Sequence, residues 1–392
     1  MGTMTARARW DVSPWFGSRS RPHAGAQHVP QQSYPRAVGA YRIVTVVTAT
    51  AAEASDRSRR GALVISLDFE LAWGVHDSLG SEGDYRTNLL GARDAVPRML
   101  DLFTEYGVAA TWATVGFLFA ESRDELAAFS PRERPNYANP RRDPYRIRVG
   151  RDERDDPLHF APSLVRAITA TPRQEVGSHT FSHYYCMEPG QTVTSFKADL
   201  EAAVSIAAAK GVAVTSLVLP RHQVRADYLP AIADTGFRVH RTNEANRLSR
   251  PRATGRDGLV TRAARLVDSY LPLTGPNAVP WPSTIPDANG LVDVRESRFL
   301  RPVSPGLRPL EPLRVRRITE AMRVAAMRGA ICHVWWHPHN FGVHLDQNLE
   351  NLRAVLVAYA ALREAVGFDS LSMREVADTT RPPGTGGAAA TW

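Results

Sequence analysis

Apolar residues recur along residues 61–380 in two alternating patterns, short continuous runs and longer stretches with helical spacing. The short runs predict strands at Gly61–Asp68, Val108–Phe119, Glu175–Ser178, Val212–Leu219, Phe237–Thr242, Leu291–Leu300, Ala330–Trp336 and Phe368–Ser372. The longer stretches predict helices at Ala92–Tyr106, Phe160–Thr169, Thr194–Lys210, Ala226–Thr235, Arg256–Tyr270, Pro312–Met327 and Gln347–Val366. Repeated strand–helix units of this kind predict a parallel sheet with helical crossovers.

Side chains that can take part in catalysis or metal binding stand where the predicted strands end: Asp68, His179, Arg221 and His337. Barrel enzymes carry their chemistry at the carboxyl ends of strands, so we predict a closed or nearly closed α/β barrel. An open doubly wound sheet is the alternative, because it also binds ligands at that edge. The chain contains no glycine-rich phosphate loop of the dinucleotide or Walker type.

The pattern divides the 392 residues into three parts. Residues 1–60 are rich in Arg, Ser, Pro and Ala without periodicity, and we expect a disordered Arg-rich leader. Residues 61–380 form the globular domain, with an inserted, proline-rich loop region near 120–160 that predicts an ordered excursion or a lid. Residues 381–392 are a Pro/Gly/Ala tail that we also expect to be disordered.

The net charge of +8 is concentrated at the start of the chain. Residues 1–60 carry nine arginines against Asp11, Glu53 and Asp56, a net +6, which leaves only +2 for the remaining residues. A folded basic face is therefore not indicated, and we expect no nucleic-acid partner. The two cysteines, Cys186 and Cys332, allow at most one disulfide and exclude a four-cysteine metal site.

No apolar run approaches the roughly 20 residues that a membrane helix needs. The run Ile43–Ala52 follows Arg42 as the apolar part of a signal peptide would, but it begins far from Met1 and is rich in threonine. We therefore expect a cytoplasmic protein, with secretion as the alternative.

The strand Leu63–Asp68 delivers two carboxylates, Asp68 and Glu70, to one face because side chains alternate along a strand. A metal hydrolase needs one carboxylate to bind the ion and another to take a proton from water. One strand end can supply both. The simpler interpretation is a helix cap or a solvated strand end.

Two histidines four residues apart, His179 and His183, follow a short strand and Gly177-Ser178. From a helical turn they could point the same way and reach one metal ion. Such spacing is common by chance, so the pair gains weight only from the carboxylates at the end of the first strand.

Two later strand ends carry further candidates. Arg221 could pair with the catalytic carboxylate or cap a surface turn, and His222 could be packed or solvated. His337 is best placed to protonate a leaving amine, and alternation puts His333 and Trp335 on its face of the strand. The tryptophans Trp335 and Trp336 could serve as core packing or as a sugar platform.

Together these motifs resemble those of the polysaccharide deacetylase family, the NodB-homology carbohydrate esterases, over residues 61–380. Ser66-Leu67-Asp68-Phe69-Glu70 is similar to the family's first motif, which usually reads Thr-Phe-Asp-Asp-Gly, and Ala110-Thr111-Trp112-Ala113 is similar to its second strand. His179-Thr-Phe-Ser-His183 matches the histidine motif His-Ser/Thr-x-x-His. Pro220-Arg221-His222-Gln223 resembles the family's arginine-containing turn, and Trp335-Trp336-His337 resembles the motif that carries the acid histidine. The resemblance implies a distorted, TIM-barrel-like (β/α) barrel with seven strands.

The first motif departs from its usual form, because Phe69 stands where the metal-binding second Asp normally sits. Some branches use Asp-x-Glu instead, and alternation independently points Phe69 away. The resemblance then implies Asp68 as base and Arg221 as its partner, His337 as acid, and a metal held by Glu70, His179 and His183. The arginine turn also lacks the family's usual glycine.

The resemblance implies a metal-dependent hydrolase that removes an N-acyl group, in particular an N-acetyl group, from an amino sugar or polysaccharide. It also implies Zn²⁺ or another divalent transition metal as cofactor. One alternative is a deformylase or amidohydrolase acting on a small non-sugar C–N bond. Another, motivated by the missing Asp-Asp pair, is a catalytically inactive glycan-binding barrel.

Overall fold

The computed structural model describes residues 60–78, 85–244 and 259–380. Apart from residue 60, the expected leader lies outside the described residues, as do the tail and the first three residues of the helix predicted at Arg256–Tyr270. No helix among the described residues is long and apolar enough to cross a membrane.

A parallel sheet forms the centre of the molecule, and its strands pair in the order β6-β5-β4-β3-β2-β1-β8-β7, with β9 alongside β1. The strands are β1 Ala62–Phe69, β2 Ala110–Thr114, β3 Gln174–Ser178, β4 Ser216–Val218, β5 Val239–Arg241, β6 Val292–Asp293, β7 Arg298–Phe299, β8 Ile331–Trp336 and β9 Asp369–Leu371. The predicted α/β fold, a distorted (β/α) barrel, is confirmed.

Helices connect and cover these strands: α1 Arg86–Tyr106, α2 Arg123–Phe129, α3 Pro162–Ala170, α4 Val193–Ala209, α5 Leu229–Asp234, α6 Leu259–Asp268, α7 Glu311–Arg328, α8 Leu345–Val366 and α9 Met373–Thr380. Helix α1 ends at Gly107, whose φ of 65° lets the backbone turn left-handed and close the last turn. Glycines at 329 and 367 end α7 and α8 in the same way.

The predicted number of strands is wrong, because eight strands rather than seven follow one another along the sheet in the part of the chain that the structure describes. The segment predicted as one strand, Leu291–Leu300, is two short strands, β6 and β7, which pair with different neighbours. Between them the backbone turns from one partner to the other: Val294 N–H donates to His240 O of β5, and Ser297 N–H to His333 O of β8. The segment therefore links both ends of the curled sheet.

Alternation along β1 separates the core from the barrel interior. Leu63, Leu67 and Phe69 belong to the large apolar cluster that the sheet forms with its covering helices. The opposite face carries Ala62 and Val64 at one end and polar residues toward the carboxyl end. Strand β1 thus packs its small apolar side chains at the base of the interior and presents chemistry at its rim.

The region near residues 120–160 contains α2 and two 3-10 turns, at Pro140–Arg142 and Pro144–Arg146. Its Arg142 forms ion pairs with Asp77, 4.0 Å away, and with Glu188. The region is therefore tied to the loops that follow β1 and β3 at the rim of the barrel.

Candidate metal centre and active site

Asp68 and Glu70 lie at the rim of the barrel where β1 ends, and both are almost fully buried. The side chain between them, Phe69, packs edge-on against Trp112 in the apolar core. Both carboxylates face His337: its Nε2 lies 3.9 Å from Asp68 Oδ2 and 3.5 Å from Glu70 Oε1. Strand alternation thus brings both carboxylates to one site.

His179 and His183 follow β3 in an irregular loop and not on a helical turn. The left-handed backbone of His183 (φ 59°) folds the loop back on itself. Asp199 of α4 holds this fold, because its carboxylate accepts the N–H groups of Phe181 (2.7 Å) and Ser182 (3.2 Å) as well as the Ser182 hydroxyl. A helix-borne carboxylate therefore orients the histidine loop.

The two histidines converge on Glu70. Glu70 Oε2 lies 3.3 Å from His179 Nε2 and 3.1 Å from His183 Nε2, and one ligand atom from each residue falls within 4.8 Å of the others. Burial, only partly offset by Glu70, lowers the pKa of His183 to about 4, so its ring is neutral and keeps a lone pair. One carboxylate and two imidazoles are a donor set that suits zinc with a position left open for water or substrate.

Asp68 is held by an arginine that lies far away in the sequence. Arg241 Nη2 donates to Asp68 Oδ2 at 2.7 Å, and the guanidinium is completely buried. Burial alone would raise the pKa of Asp68, but its electrostatic interactions, above all with Arg241 and then with His179 and His337, lower it to about 2. The other oxygen, Asp68 Oδ1, is buried without a hydrogen-bond partner among the described residues. Asp68 is thus an ionised carboxylate with one oxygen free to accept a proton.

A directional chain of hydrogen bonds stands behind Arg241. Its Nη1 donates to Ser66 Oγ at 2.7 Å, and Ser66 Oγ lies 2.8 Å from His333 Nε2. The carbonyl of Val294, 3.0 Å from His333 Nδ1, can only accept, so that nitrogen carries the proton and Nε2 accepts from the Ser66 hydroxyl. Burial lowers the pKa of His333 to about 3, in agreement with a neutral ring.

Arg221 does not occupy the position predicted for it. Its Nη2 donates to both carboxylate oxygens of Asp77 at 2.7 Å, and its guanidinium lies 4.4 Å from the centre of the Tyr185 ring. Arg221 follows the end of β4 in a left-handed turn (φ 56°), which directs the side chain to the loop after β1. The arginine that pairs with Asp68 is Arg241, so the predicted partnership of Arg221 is wrong.

Arg241 was missed because β5 reads as an ordinary strand with no motif around it. The sequence nevertheless indicated that Arg241 points into the barrel interior. Val239 lies in the apolar base of the barrel interior, and alternation places Arg241 two residues later on the same face. An arginine predicted to point into a barrel needs a buried anion as partner, and Asp68 was the candidate.

His337 is the most accessible member of the site, with 23% of its side chain exposed. Its Nδ1 lies 3.3 Å from Asn340 Nδ2, and the Tyr85 hydroxyl donates to Asn340 Oδ1 at 3.1 Å. These contacts fix the ring so that Nε2 faces Asp68 and Glu70. The exposed edge leaves room for a substrate to reach this nitrogen.

The two tryptophans have different environments. Trp336 is fully buried in the core, where its ring stacks on Phe341. Trp335 faces the barrel interior, and its ring contacts Arg241, Phe299 and His337. The core interpretation is therefore confirmed for Trp336 only.

Neither cysteine takes part in this chemistry. Cys186 and Cys332 are both buried free thiols. Burial raises the pKa of the Cys186 thiol far above its usual range, so no thiolate nucleophile is available at neutral pH.

The family model for polysaccharide deacetylase matches residues 85–240, a range that contains His179 and His183 but neither Asp68 nor Glu70. No curated protein matches the chain. A solved structure named "putative polysaccharide deacetylase" from Mycobacterium smegmatis has a TM-score of 0.52 at 13% identity over 82% of this chain and 91% of that one.

Two further solved structures have lower TM-scores. A "probable polysaccharide deacetylase" from Pseudomonas aeruginosa PAO1 has a TM-score of 0.45 at 12% identity over 81% of this chain and 89% of that one. Puue allantoinase has a TM-score of 0.46 at 11% identity over 81% and 88%. At such low sequence identity, structural similarity shows a shared fold and nothing more. The Mycobacterium structure shares the fold of this chain. On the family match, residues 85–240 are similar to the polysaccharide deacetylase family, hydrolases that act on the carbon–nitrogen bonds of amides.

Proposed function

We propose that the protein is a metal-dependent hydrolase that removes an N-acyl group, in particular an N-acetyl group, from an amino sugar or polysaccharide. The observation that carries this proposal is that Asp68 and His337 flank the Glu70–His179–His183 cluster at the carboxyl edge of the barrel. A base, an acid and a metal-type donor set thus surround one point.

Glu70, His179 and His183 would hold the metal ion, for which we propose Zn²⁺ or another divalent transition metal. When bound, the ion supplies a Lewis acid that polarises the acyl carbonyl and makes the attacking water more acidic. Burial raises the pKa of Glu70, but its interactions with His337 and the hydrogen bonds from His179 and His183 outweigh burial and hold that pKa well below its usual range. The carboxylate is therefore already in its ligating, ionised form.

Asp68 acts as the general base. Its pKa of about 2 keeps it ionised at neutral pH, and the free Oδ1 can accept a proton from the attacking water. Arg241 on Oδ2 holds the carboxylate in place, because the buried ion pair restricts its rotation. The water oxygen bonds to the acyl carbon as its proton passes to Asp68.

His337 acts as the general acid. Breaking the C–N bond leaves an amine that needs a proton, and His337 Nε2 lies on the side of Asp68 and Glu70 where that bond would sit. Asn340 and Tyr85 keep the ring in this orientation. The products are a carboxylic acid and a free amine.

The test compares His179→Ala and Glu70→Ala with wild type for bound metal, by elemental mass spectrometry, and for acetate released from N-acetylglucosamine oligomers. His344→Asn serves as the control, because His344 is exposed, lies in a left-handed turn that asparagine tolerates and takes no part in the site. We expect both site variants to lose metal and activity while the control keeps both. An active, metal-free His179→Ala variant contradicts the proposal, and a wild type without metal favours a glycan-binding barrel.

A substrate panel separates the sugar from the small-amide alternative. If small non-sugar amides are hydrolysed and acetylated sugar oligomers are not, the chemistry stands and the proposed substrate class fails.

A further inference from the structure

Two buried polar side chains of the barrel interior take no part in the reaction described above. His222 Nε2, after β4, lies 3.5 Å from Glu296 Oε2, between β6 and β7. The pair lies near the catalytic base, since the Trp335 ring packs both on His222 and on Arg241, the arginine that holds Asp68. They form a pair beside the catalytic carboxylate.

Irregular backbone delivers both side chains to this position. Arg221 and His222 are consecutive non-glycine residues with left-handed backbone (φ 56° and 53°), a conformation that persists only where surrounding structure enforces it. Glu296 lies in the break that separates β6 from β7, where its N–H donates to Thr242 O at 2.9 Å. The regular strands are thus interrupted at the two points from which these side chains turn inward.

Several polar atoms lack hydrogen-bond partners in this corner of the barrel interior, which His222, Glu296 and Trp335 form. His222 Nδ1, Glu296 Oε2 and Trp335 Nε1 are buried without a hydrogen-bond partner among the described residues. The Glu296 carboxyl receives a hydrogen bond from the Glu244 N–H. Because buried polar groups are generally hydrogen-bonded, several partnerless atoms in one place indicate a ligand or water position.

Trp335 joins this pair to the site of reaction. Its ring lies edge-on to His222 at 4.6 Å and reaches His337 at 5.4 Å. Arg241 and Phe299 pack on the ring, so the group that Trp335 offers to a ligand is the indole N–H. The partnerless atoms therefore adjoin the place where the leaving amine would lie.

The corner carries no net charge of its own. Burial lowers the pKa of His222 well below its usual value, with Arg241 adding to the effect. Burial also raises the pKa of Glu296 to about 8, against the opposing charge of Arg241. A neutral imidazole, a protonated carboxyl and an indole N–H suit a group that both donates and accepts hydrogen bonds, such as a hydroxyl.

We propose that His222, Glu296 and Trp335 form a subsite that binds a hydroxyl group of the sugar ring bearing the N-acyl group. This subsite rests on the proposed function for the identity of its ligand. It would discriminate a hydroxylated ring from an apolar ring of the same size, because a buried polar site left without its partner loses affinity.

Calorimetric binding of N-acetylglucosamine oligomers and of N-acetylcyclohexylamine, which has a six-membered ring without hydroxyls, tests the subsite without requiring turnover. The variants are Glu296→Leu, Glu296→Gln and His222→Phe, with Glu320→Leu on the exposed face of α7 as control. We expect Glu296→Leu and His222→Phe to weaken oligomer binding by about tenfold or more. Glu296→Gln, which keeps a neutral donor and acceptor, should stay within about threefold of wild type.

Binding of N-acetylcyclohexylamine should be the same in all variants that retain the wild-type thermal unfolding midpoint. Equal loss for both ligands, unchanged oligomer binding by Glu296→Leu, or a wild type that fails to bind the oligomer overturns the subsite. Oligomer binding that depends on Glu296 without any acetate release leaves the subsite standing and contradicts the proposed function instead.

Discussion

Arg241 Nη2 lies 2.7 Å from Asp68 Oδ2, and this buried ion pair joins β5 to β1 across the barrel interior. Arg241 also donates to Ser66 of the Ser66–His333 chain, so the arginine that holds the carboxylate is itself held by a second hydrogen bond. The pair both orients the proposed base and keeps it ionised.

Replacing this arginine by methionine should damage both stability and catalysis. Removing one partner of a buried ion pair typically costs about 3 kcal/mol, which we expect in the free energy of unfolding by denaturant titration. Burial then raises the pKa of Asp68, so protonation of the base begins at a higher pH and the acid limb of the pH–rate profile moves upward. We expect kcat for acetylated oligomers to fall about 100-fold.

Two matched variants sharpen this expectation. Arg238 directly precedes β5 and forms a surface ion pair with Asp378. Arg238→Met removes this pair and should change neither the pH–rate profile nor kcat. Arg221→Met removes the contact with Asp77 and should leave the acid limb where it is. If Arg221→Met moves that limb and Arg241→Met does not, the partnership read from the structure is incorrect.

Asp199→Ala should weaken metal binding without touching a ligand. The Asp199 carboxylate accepts two N–H groups from the loop between His179 and His183, and its loss releases that loop. Removing supports behind metal ligands usually lowers metal affinity at least about tenfold, which competition with a chelator measures. Asp234→Ala, which breaks an exposed pair with Lys197, is the control. Equal metal affinity in both variants argues against a positioning role.

Gly74→Ala should displace the proposed carboxylate ligand. Gly74 closes the 3-10 turn Leu71–Gly74, and a Cβ added there would overlap the carboxylate of Glu70. The carboxylate must then swing away from the histidines, and we expect metal affinity to fall at least about tenfold. Gly306→Ala places its Cβ in open space and should bind metal as wild type does. Normal metal content in Gly74→Ala would show that Glu70 is not needed as a ligand.

Glu296→Gln should alter how stability depends on pH. The pKa of Glu296 is raised from 4.5 to about 8 in the folded protein, so the folded state holds a proton that the unfolded state releases above about pH 4.5. The stability contributed by this protonated group is complete below pH 4.5 and is lost as pH rises toward 8. Glutamine does not titrate, so the unfolding midpoint of the variant minus that of wild type should increase from pH 5 to pH 8.

The exposed Glu320 provides the comparison, because its pKa is lowered by its partner Arg323 and it is ionised throughout that range. Glu320→Gln should show a constant difference in midpoint. A constant difference for Glu296→Gln as well would mean that Glu296 is ionised in the folded protein.

The sequence by itself determined the alternation of strands and helices and the strand ends that carry potentially catalytic or metal-binding side chains. Apolar periodicity requires each segment to bury one face, and this local requirement can be read without knowing the partner. Asp68, Glu70, His179, His183 and His337 were found in this way, and the structure brings all five to one rim. The break at residues 294–297 was missed because each half of the predicted strand keeps its alternation and only the pairing partner changes.

Only the tertiary structure decided which distant groups meet. The barrel interior pairs Arg241 with Asp68 and directs Arg221 to Asp77, since curvature and left-handed turns set where a long side chain can reach. It also brings His222 and Glu296 together from two loops that share no motif. The local pattern of apolar and polar residues determines on which face of a strand a side chain lies. The closure of the sheet determines which other side chains that face contacts.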